Sequence, residues 1–147
     1  MKLSTRGQYA TRALLDLAMH QDESPVLLKD ISRRQQISQR YLEHLITPLI
    51  TAGIITSTRG PKGGISLVRP PGEIGLDEVL QLVEGTIAPV ECVNHPDRCV
   101  RSGSCAAREV WEELRQTMAG FLRSITIQDL MERQREKENS IEIMYYI

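Results

Sequence analysis

The sequence has few aromatic residues and few cysteines, and it has no long apolar run. Aromatic residues are 4% of the 147, with one Trp and one Phe, so a core of Leu, Ile, Val and Ala is implied, which favours helices. No apolar run approaches the ~20 residues that cross a bilayer, and the N-terminus lacks the succession of a signal peptide. We expect a cytoplasmic chain without membrane contact, folded as one domain plus an appendage.

Net charge is also nearly absent, at −1, but the two halves differ. Residues 1–70 hold ten Lys or Arg against five Asp or Glu, and residues 71–147 hold eight against fourteen. Scatter would explain a small excess of this kind. A basic surface that binds a polyanion would explain it too.

The first half predicts a winged helix-turn-helix. Apolar residues recur at steps of three and four over 4–20, a short helix spans 28–35, and Ser38 caps a helix over 38–52. Residues 54–58 and 65–68 are rich in β-branched side chains and predict a hairpin. The fold class is therefore mainly α with a small β-hairpin wing, followed by a long dimerisation helix.

In this arrangement the second helix of the turn enters the major groove and the wing reaches the neighbouring groove or backbone. The early exposed positions of that helix carry base-reading donors and acceptors, at Gln39, Arg40, Glu43 and His44. Arg59 and Lys62 flank wing glycines that let the backbone approach a duplex. Backbone phosphates would meet Lys2, Thr5, Arg6 and Arg33. The alternative is a set of solvated faces, or a winged helix used for protein contact.

The second half begins with 85–104, where periodicity is absent. A long helix then carries an apolar stripe with no core of its own to cover it, formed by Val110, Trp111, Leu114, Met118, Phe121, Leu122 and Ile125. Packing on a second copy of the chain would bury that stripe. Thr126 and Asp129 form a capping box for a further helix. We predict a winged-helix domain at 1–84, a cysteine segment at 85–104, and a dimerisation helix with a C-terminal tail at 105–147.

The three cysteines, Cys92, Cys99 and Cys105, lie within fourteen residues. Clustered thiols in a cytoplasmic protein favour zinc or an iron-sulfur cluster over disulfides. Spacing alone does not choose between these metals, and unligated thiols that respond to oxidants are a third possibility. An electron-transfer module is the competing class, but the chain has no nucleotide loop and no nucleophile paired with a base, so we predict that it is not an enzyme.

Four features together resemble the IscR-type family of iron-sulfur winged-helix transcription regulators, whose relatives include NsrR and CymR. These features are residues 1–10, residues 37–43, the wing at 59–64 and the cysteine trio. The resemblance covers nearly the whole chain, to about Leu130. It implies a homodimer with crossed long helices, palindromic double-stranded DNA sites, and a 2Fe-2S cluster on the three cysteines. It also implies that Ser38, Arg40, Tyr41, Glu43 and Arg59 touch DNA, with Glu43 linked to discrimination between site classes.

The sequence departs from this family at the fourth ligand. The IscR pattern has a histidine three residues after the last cysteine, where this chain has Arg108. Other members use a side chain of the first helix, where this chain has Gln8 and Arg12. Nearby candidates are His95, Asp97, Glu91 and Glu109. We expect cluster binding to order residues 90–104 and so change how the recognition helices are presented.

Overall fold

A computed structural model describes residues 2–146 of the chain. This part is 67% helical and contains one two-stranded antiparallel sheet, which confirms the predicted fold class. In chain order the elements are α1 (Thr5–Met19), α2 (Leu28–Gln35), α3 (Gln39–Thr51), β1 (Ile55–Thr58), β2 (Gly64–Leu67), α4 (Leu76–Glu84), α5 (Glu91–Asn94), α6 (Ala106–Ser124) and α7 (Ile127–Tyr146). Single 3₁₀ turns cover Gln21–Glu23, Pro71–Glu73 and Pro96–Arg98.

Helices α1, α2 and α3 pack around one apolar core. Leu14, Ile31 and Leu42 are each 1% exposed there, and full burial of such a side chain stabilises the fold by about 1.5–3 kcal/mol. Between α2 and α3 the chain turns through Gln36, which adopts a left-handed conformation with φ of 55°. The buried Ile37 closes this turn. The tight turn predicted at this point is confirmed.

The hairpin is anchored to the helices by a third stretch of chain. Strands β1 and β2 pair with Ile55 opposite Leu67 and Thr58 opposite Gly64. Val26 and Ile65 exchange both backbone hydrogen bonds, at 2.9 and 2.8 Å. Gly64 has a φ of 151°, and a Cβ there would overlap the carbonyl of Val26. Glycine is therefore required where the hairpin meets this third stretch.

The core is completed by residues far along the chain. Val79 and Val83 of α4 join it, as do Ile127 and Met131 of α7. The backbone of Ile127 donates to the carbonyl of Ile74 at 2.9 Å. The start of α7 thus belongs to the same packed unit as α1–α4, which we call the head. The predicted domain bounds at 84/85 and 104/105 stay predictions.

Helix α6 packs on α4 but buries none of its residues. The capping box at the start of α7 is confirmed: the Asp129 carboxylate accepts from the backbone N–H of Thr126 at 2.8 Å and from its hydroxyl at 3.0 Å. We predicted that Ile141, Ile143, Tyr145 and Ile147 alternate on one side. Up to Tyr146 this tail continues α7, so a period of 3.6 replaces the period of two and that prediction is wrong. Ile147 lies outside the described residues.

Candidate functional site

Helix α3 presents a polar face opposite its buried one. Its N-cap is Ser38, whose hydroxyl accepts from the backbone N–H of Tyr41 at 3.2 Å. The buried face consists of Leu42, Leu45, Ile46 and Leu49. Five of the predicted reading residues are exposed: Ser38, Gln39, Arg40, Glu43 and His44. Ile50, which we expected to be buried, is 36% exposed, because it lies on the side of α3 away from the core.

Tyr41, the sixth predicted residue of this helix, is half-buried. Its ring packs edge-to-face against Tyr9 of α1, with 5.9 Å between ring centroids and 84° between the planes. The Arg12 guanidinium lies over the Tyr9 ring, 5.2 Å from its centroid. Tyr41 therefore fixes the recognition helix to α1.

The wing carries two exposed cations at its tip, Arg59 and Lys62. Gly60 has a φ of 103°, and a Cβ at Gly63 would overlap the carbonyl of Thr58. The turn between the strands therefore needs both glycines. Within residues 2–146, neither Arg59 nor Lys62 has a carboxylate within 4.0 Å. Their charges are available to a polyanion.

The cations at the other predicted phosphate positions are partly engaged. Lys2 and Thr5 are exposed at the start of α1. Arg6 donates through Nη1 to the carbonyl of Val83 at 3.1 Å. Arg33 is 75% exposed and lies 3.6 Å from Asp30, a separation at which a surface pair contributes little.

A buried ion pair under the helix-turn-helix was missed from sequence. Asp16 is 4% exposed, and both of its carboxylate oxygens accept from Arg34, at 2.6–3.1 Å. Gln35 donates to the same carboxylate at 2.9 Å. We predicted that Arg34 points outward, which is wrong because Asp16 draws it against α1. The hydrogen bonds to Asp16 raise the pKa of Arg34 above its ordinary value. A charged residue between Leu15 and Leu17 on an apolar helix face was the available signal.

The three cysteines lie on separate elements of the second half. Cys92 is on α5, Cys99 follows the 3₁₀ turn at Pro96–Arg98, and Cys105 is the N-cap of α6. All three are free thiols of intermediate exposure. Over residues 2–146, no three or more His, Cys, Asp or Glu side chains converge as a metal site. The donor chemistry nevertheless suits an iron-sulfur cluster at three positions, because thiolates are its usual ligands.

Arg108, which occupies the position of the expected histidine, is a clamp for this segment. Its Nε donates to the backbone carbonyl of Cys92 at 3.2 Å, so it ties α5 to α6. Among the candidates for a fourth ligand, Glu91 accepts from Arg98 at 2.6 Å and lies 3.8 Å from Nε2 of His95. Asp97 and Glu109 are exposed. Nothing in this geometry selects one of the four.

An apolar groove of about 730 Å³ separates α1, α4 and α6. Leu3, Leu76 and Leu80 line one side, and Met118 and Phe121 of α6 line the other. The groove continues into the exposed stripe of α6, where Val110 is 54%, Trp111 39% and Phe121 60% exposed. A surface this apolar is typical of an interface with another chain.

A capped recognition helix, a hairpin with a cationic tip and a long exposed helix define a winged-helix transcription regulator. The chain belongs to the Rrf2 family, whose model, described as an iron-dependent transcriptional regulator, matches residues 3–133. Protein rrf2 of Nitratidesulfovibrio vulgaris is 46% identical over 131 residues, 89% of this chain and 87% of that protein. The regulator IscR of Xenorhabdus nematophila is 38% identical, over 91% of this chain and 81% of that protein.

Two solved structures are similar throughout. IscR of T. potens superposes with a TM-score of 0.76 at 34% identity, covering 93% of this chain and 90% of that one. CymR of B. subtilis, a global cysteine regulator, superposes with a TM-score of 0.78 at 34% identity, covering 90% and 98%. The resemblance to the IscR-type family is confirmed. These homologues are transcription regulators and not enzymes. Between residues 2 and 146, no helix has the length and hydropathy of a membrane span.

Proposed function

We propose that this regulator binds a palindromic DNA duplex as a homodimer, and that a 2Fe-2S cluster on Cys92, Cys99 and Cys105 tunes its choice of operator. The observation that carries the DNA-binding part is the polar face of α3 beside two unpaired wing cations. The helix buries its apolar side completely, so its exposed polar residues serve no packing purpose.

The proposed base-reading residues are Gln39, Arg40, Glu43 and His44, with Ser38 and Tyr41 beside them. Glu43 supplies selectivity, because a carboxylate near a polyphosphate is repelled unless it accepts from a base such as cytosine. Arg59 and Lys62 supply affinity by displacing counterions from phosphates. The polar face of α3 and the wing tip would together span a groove and the adjacent backbone.

The proposed second copy would cover the stripe of α6. Trp111 and Phe121 are the kind of side chain that anchors interfaces, and the apolar groove beside them offers further area to bury. A dimer also presents two recognition helices, which is why the proposed operator is a palindrome.

The cysteine segment is the proposed sensor. The three thiolates would hold the cluster, which supplies a site whose occupancy depends on iron, sulfide and oxidants. Arg108 would keep Cys92 next to α6 but contributes no donor, because guanidinium has no free electron pair at neutral pH. A fourth ligand would therefore come from elsewhere, and a weakly held fourth position suits a labile cluster.

A thiol redox switch is the second candidate. It is favoured by the partial exposure of all three thiols and by their lack of convergence with other ligands in the described part of the chain. A CymR of Staphylococcus aureus, solved in an oxidised form, is 31–32% identical in the two structures available. In this alternative the cysteines respond to oxidants without a cluster.

Two measurements test the proposal. Protein purified without air should be brown, with visible absorbance that is lost in the C92A/C99A/C105A variant. Stoichiometric zinc, or a colourless protein with no metal, would end the cluster proposal; reversible thiol oxidation would then support the second candidate.

The second measurement is a salt titration of duplex binding. R59A/K62A should weaken binding to palindromic and random duplexes alike and should reduce the salt slope by about 1 per residue removed. E43A should instead change the ratio between the two duplexes. The control is D22N, which alters an exposed residue outside the proposed interface. No binding at low ionic strength would refute the DNA-binding role.

A further inference from the structure

The junction between the head and the cysteine segment contains a concentrated set of hydrogen bonds. Glu84, the last residue of α4, accepts three through one carboxylate oxygen, Oε1. The donors are the backbone N–H of Ser4 at 2.9 Å, the Ser4 hydroxyl at 2.6 Å and the backbone N–H of Gly7 at 3.1 Å. The Glu84 carboxylate thus caps α1 from a position 80 residues away in sequence, where a negative charge also meets the positive end of the helix dipole.

The residue at position 7 is matched to this contact. A Cβ at Gly7 would overlap Oε1 of Glu84, and it would lie 2.8 Å from the carboxyl carbon. Gly7 is buried inside α1, where glycine costs about 1 kcal/mol relative to alanine. Its helix-weakening effect has a structural reason here, because only glycine leaves room for the carboxylate.

One side of this contact leads to the recognition helix. A cleft joins Ser4, Thr5 and Arg6 to Tyr41 of α3 and to Glu84 itself. Tyr9, two residues beyond Gly7 on α1, packs against the Tyr41 ring. A change in the position of α1 therefore reaches the start of α3 through direct contacts.

The other side leads to the cysteines. Gly85 follows Glu84 directly and has φ of 80° and ψ of −152°, a conformation open in practice to glycine alone. Nothing lies within 4 Å of a Cβ placed there, so backbone conformation and not crowding requires this glycine. The segment that carries Cys92 starts at this swivel.

We propose that Glu84 is a positioning residue that couples the cysteine segment to the recognition helix by holding Ser4 and Gly7. We call this contact the Glu84 latch. The inference rests on the proposed function, since it assumes that the cysteine segment changes state and that α3 reads DNA. A shift of the segment pulls on Glu84, and the start of α1 and then Tyr41 move with it.

The test uses three variants of the full chain. E84A removes the acceptor, G7A displaces the carboxylate while leaving residue 84 intact, and E84Q keeps an amide oxygen that still accepts. E136A, on the exposed face of α7, is the matched control for loss of a glutamate. Each protein is prepared metal-free and after anaerobic reconstitution with Fe²⁺ and sulfide, with visible absorbance recorded to show that loading is unchanged.

Amide hydrogen exchange over residues 5–10 is the first readout, because it needs no DNA. In wild type, reconstitution should change exchange in this segment. The change should vanish in E84A and G7A and persist in E84Q and E136A. Wild-type exchange that ignores loading overturns the latch, as does an E84A response equal to wild type.

Duplex affinity is the second readout. The loaded and metal-free forms of wild type should differ roughly fivefold or more in operator Kd, and that ratio should approach one in E84A and in G7A. The double variant should behave as either single one, because both break the same contact. Additive effects would overturn the proposal. If wild type binds no duplex, the proposed function fails, and the exchange experiment still decides whether the latch couples the two segments.

Discussion

The head and α6 are built in opposite ways. The head places aliphatic side chains such as Leu14, Ile54 and Ile74 at 0–1% exposure and even satisfies a buried carboxylate, Asp16, from two residues of α2. Helix α6 has 19 residues and buries none of them, although its apolar positions repeat at helical spacing. The head therefore contains its own stabilising contacts, whereas α6 needs a partner to cover it.

Substitution in the core should give the largest effect and the sharpest form of this comparison. Leu14→Ala leaves a cavity between α1 and its neighbours and should lower the free energy of unfolding by about 2–5 kcal/mol. Val110→Ala, at a position 54% exposed, should change it by no more than about 0.5 kcal/mol in protein dilute enough to be monomeric. Urea denaturation measures both. Equal losses would show that α6 is stabilised within its own chain.

Introducing a charge on α6 should produce the next largest effect. Trp111→Glu places a carboxylate in the middle of the proposed interface and should weaken self-association by about 2 kcal/mol or more, roughly a 30-fold rise in the dimer Kd. Sedimentation measures the Kd, and far-UV circular dichroism should show an unchanged head. Glu113→Gln, an exposed change on the same helix, is the control. A Trp111→Glu protein that stays dimeric would place the interface elsewhere.

The polar contact inside the head should give a smaller loss. Asp16→Asn keeps the size of the side chain but leaves the Arg34 guanidinium without its counter-charge, and it should cost about 1–3 kcal/mol in unfolding free energy. Asp22→Asn makes the same change at an exposed position and should be close to neutral. Thermal and urea melts distinguish the two. Equal effects would mean that the buried pair does not hold α1 to α2.

The smallest effect concerns an exposed pair on α6. Hydrogen bonds from Arg115 and then Gln116 lower the pKa of Glu112 to about 2 from 4.5. Because the folded pKa lies below the unfolded one, the stabilisation is complete above about pH 4.5 and is lost as the pH falls through about 2. A carboxyl NMR titration should give that midpoint, and Arg115→Gln should raise it. A midpoint near 4.5 in wild type would show that the pair does not persist in solution.

Local patterns were enough to predict the head. The bounds of α2, the cap at Ser38, the hairpin and the capping box at Thr126 all depend on residues close in sequence, so periodicity and capping chemistry identify them. Arg34, the Glu84 contact and the helical tail were not predicted correctly. The first two depend on partners 18 and 80 residues away, and the tail combines apolar residues at a spacing of two with a helical backbone that continues from α7. The reading residues and the cluster ligands remain predictions, because they act on molecules other than this chain.

The packing of Ile127 and Met131 against α1–α4 also determines when the head can finish folding. A ribosome makes the recognition helix and the wing long before it makes the two side chains that close the core beneath them. An isolated fragment of residues 1–84 would thus expose apolar surface where α7 belongs, and the DNA-reading half reaches its full stability only when nearly nine-tenths of the chain has emerged.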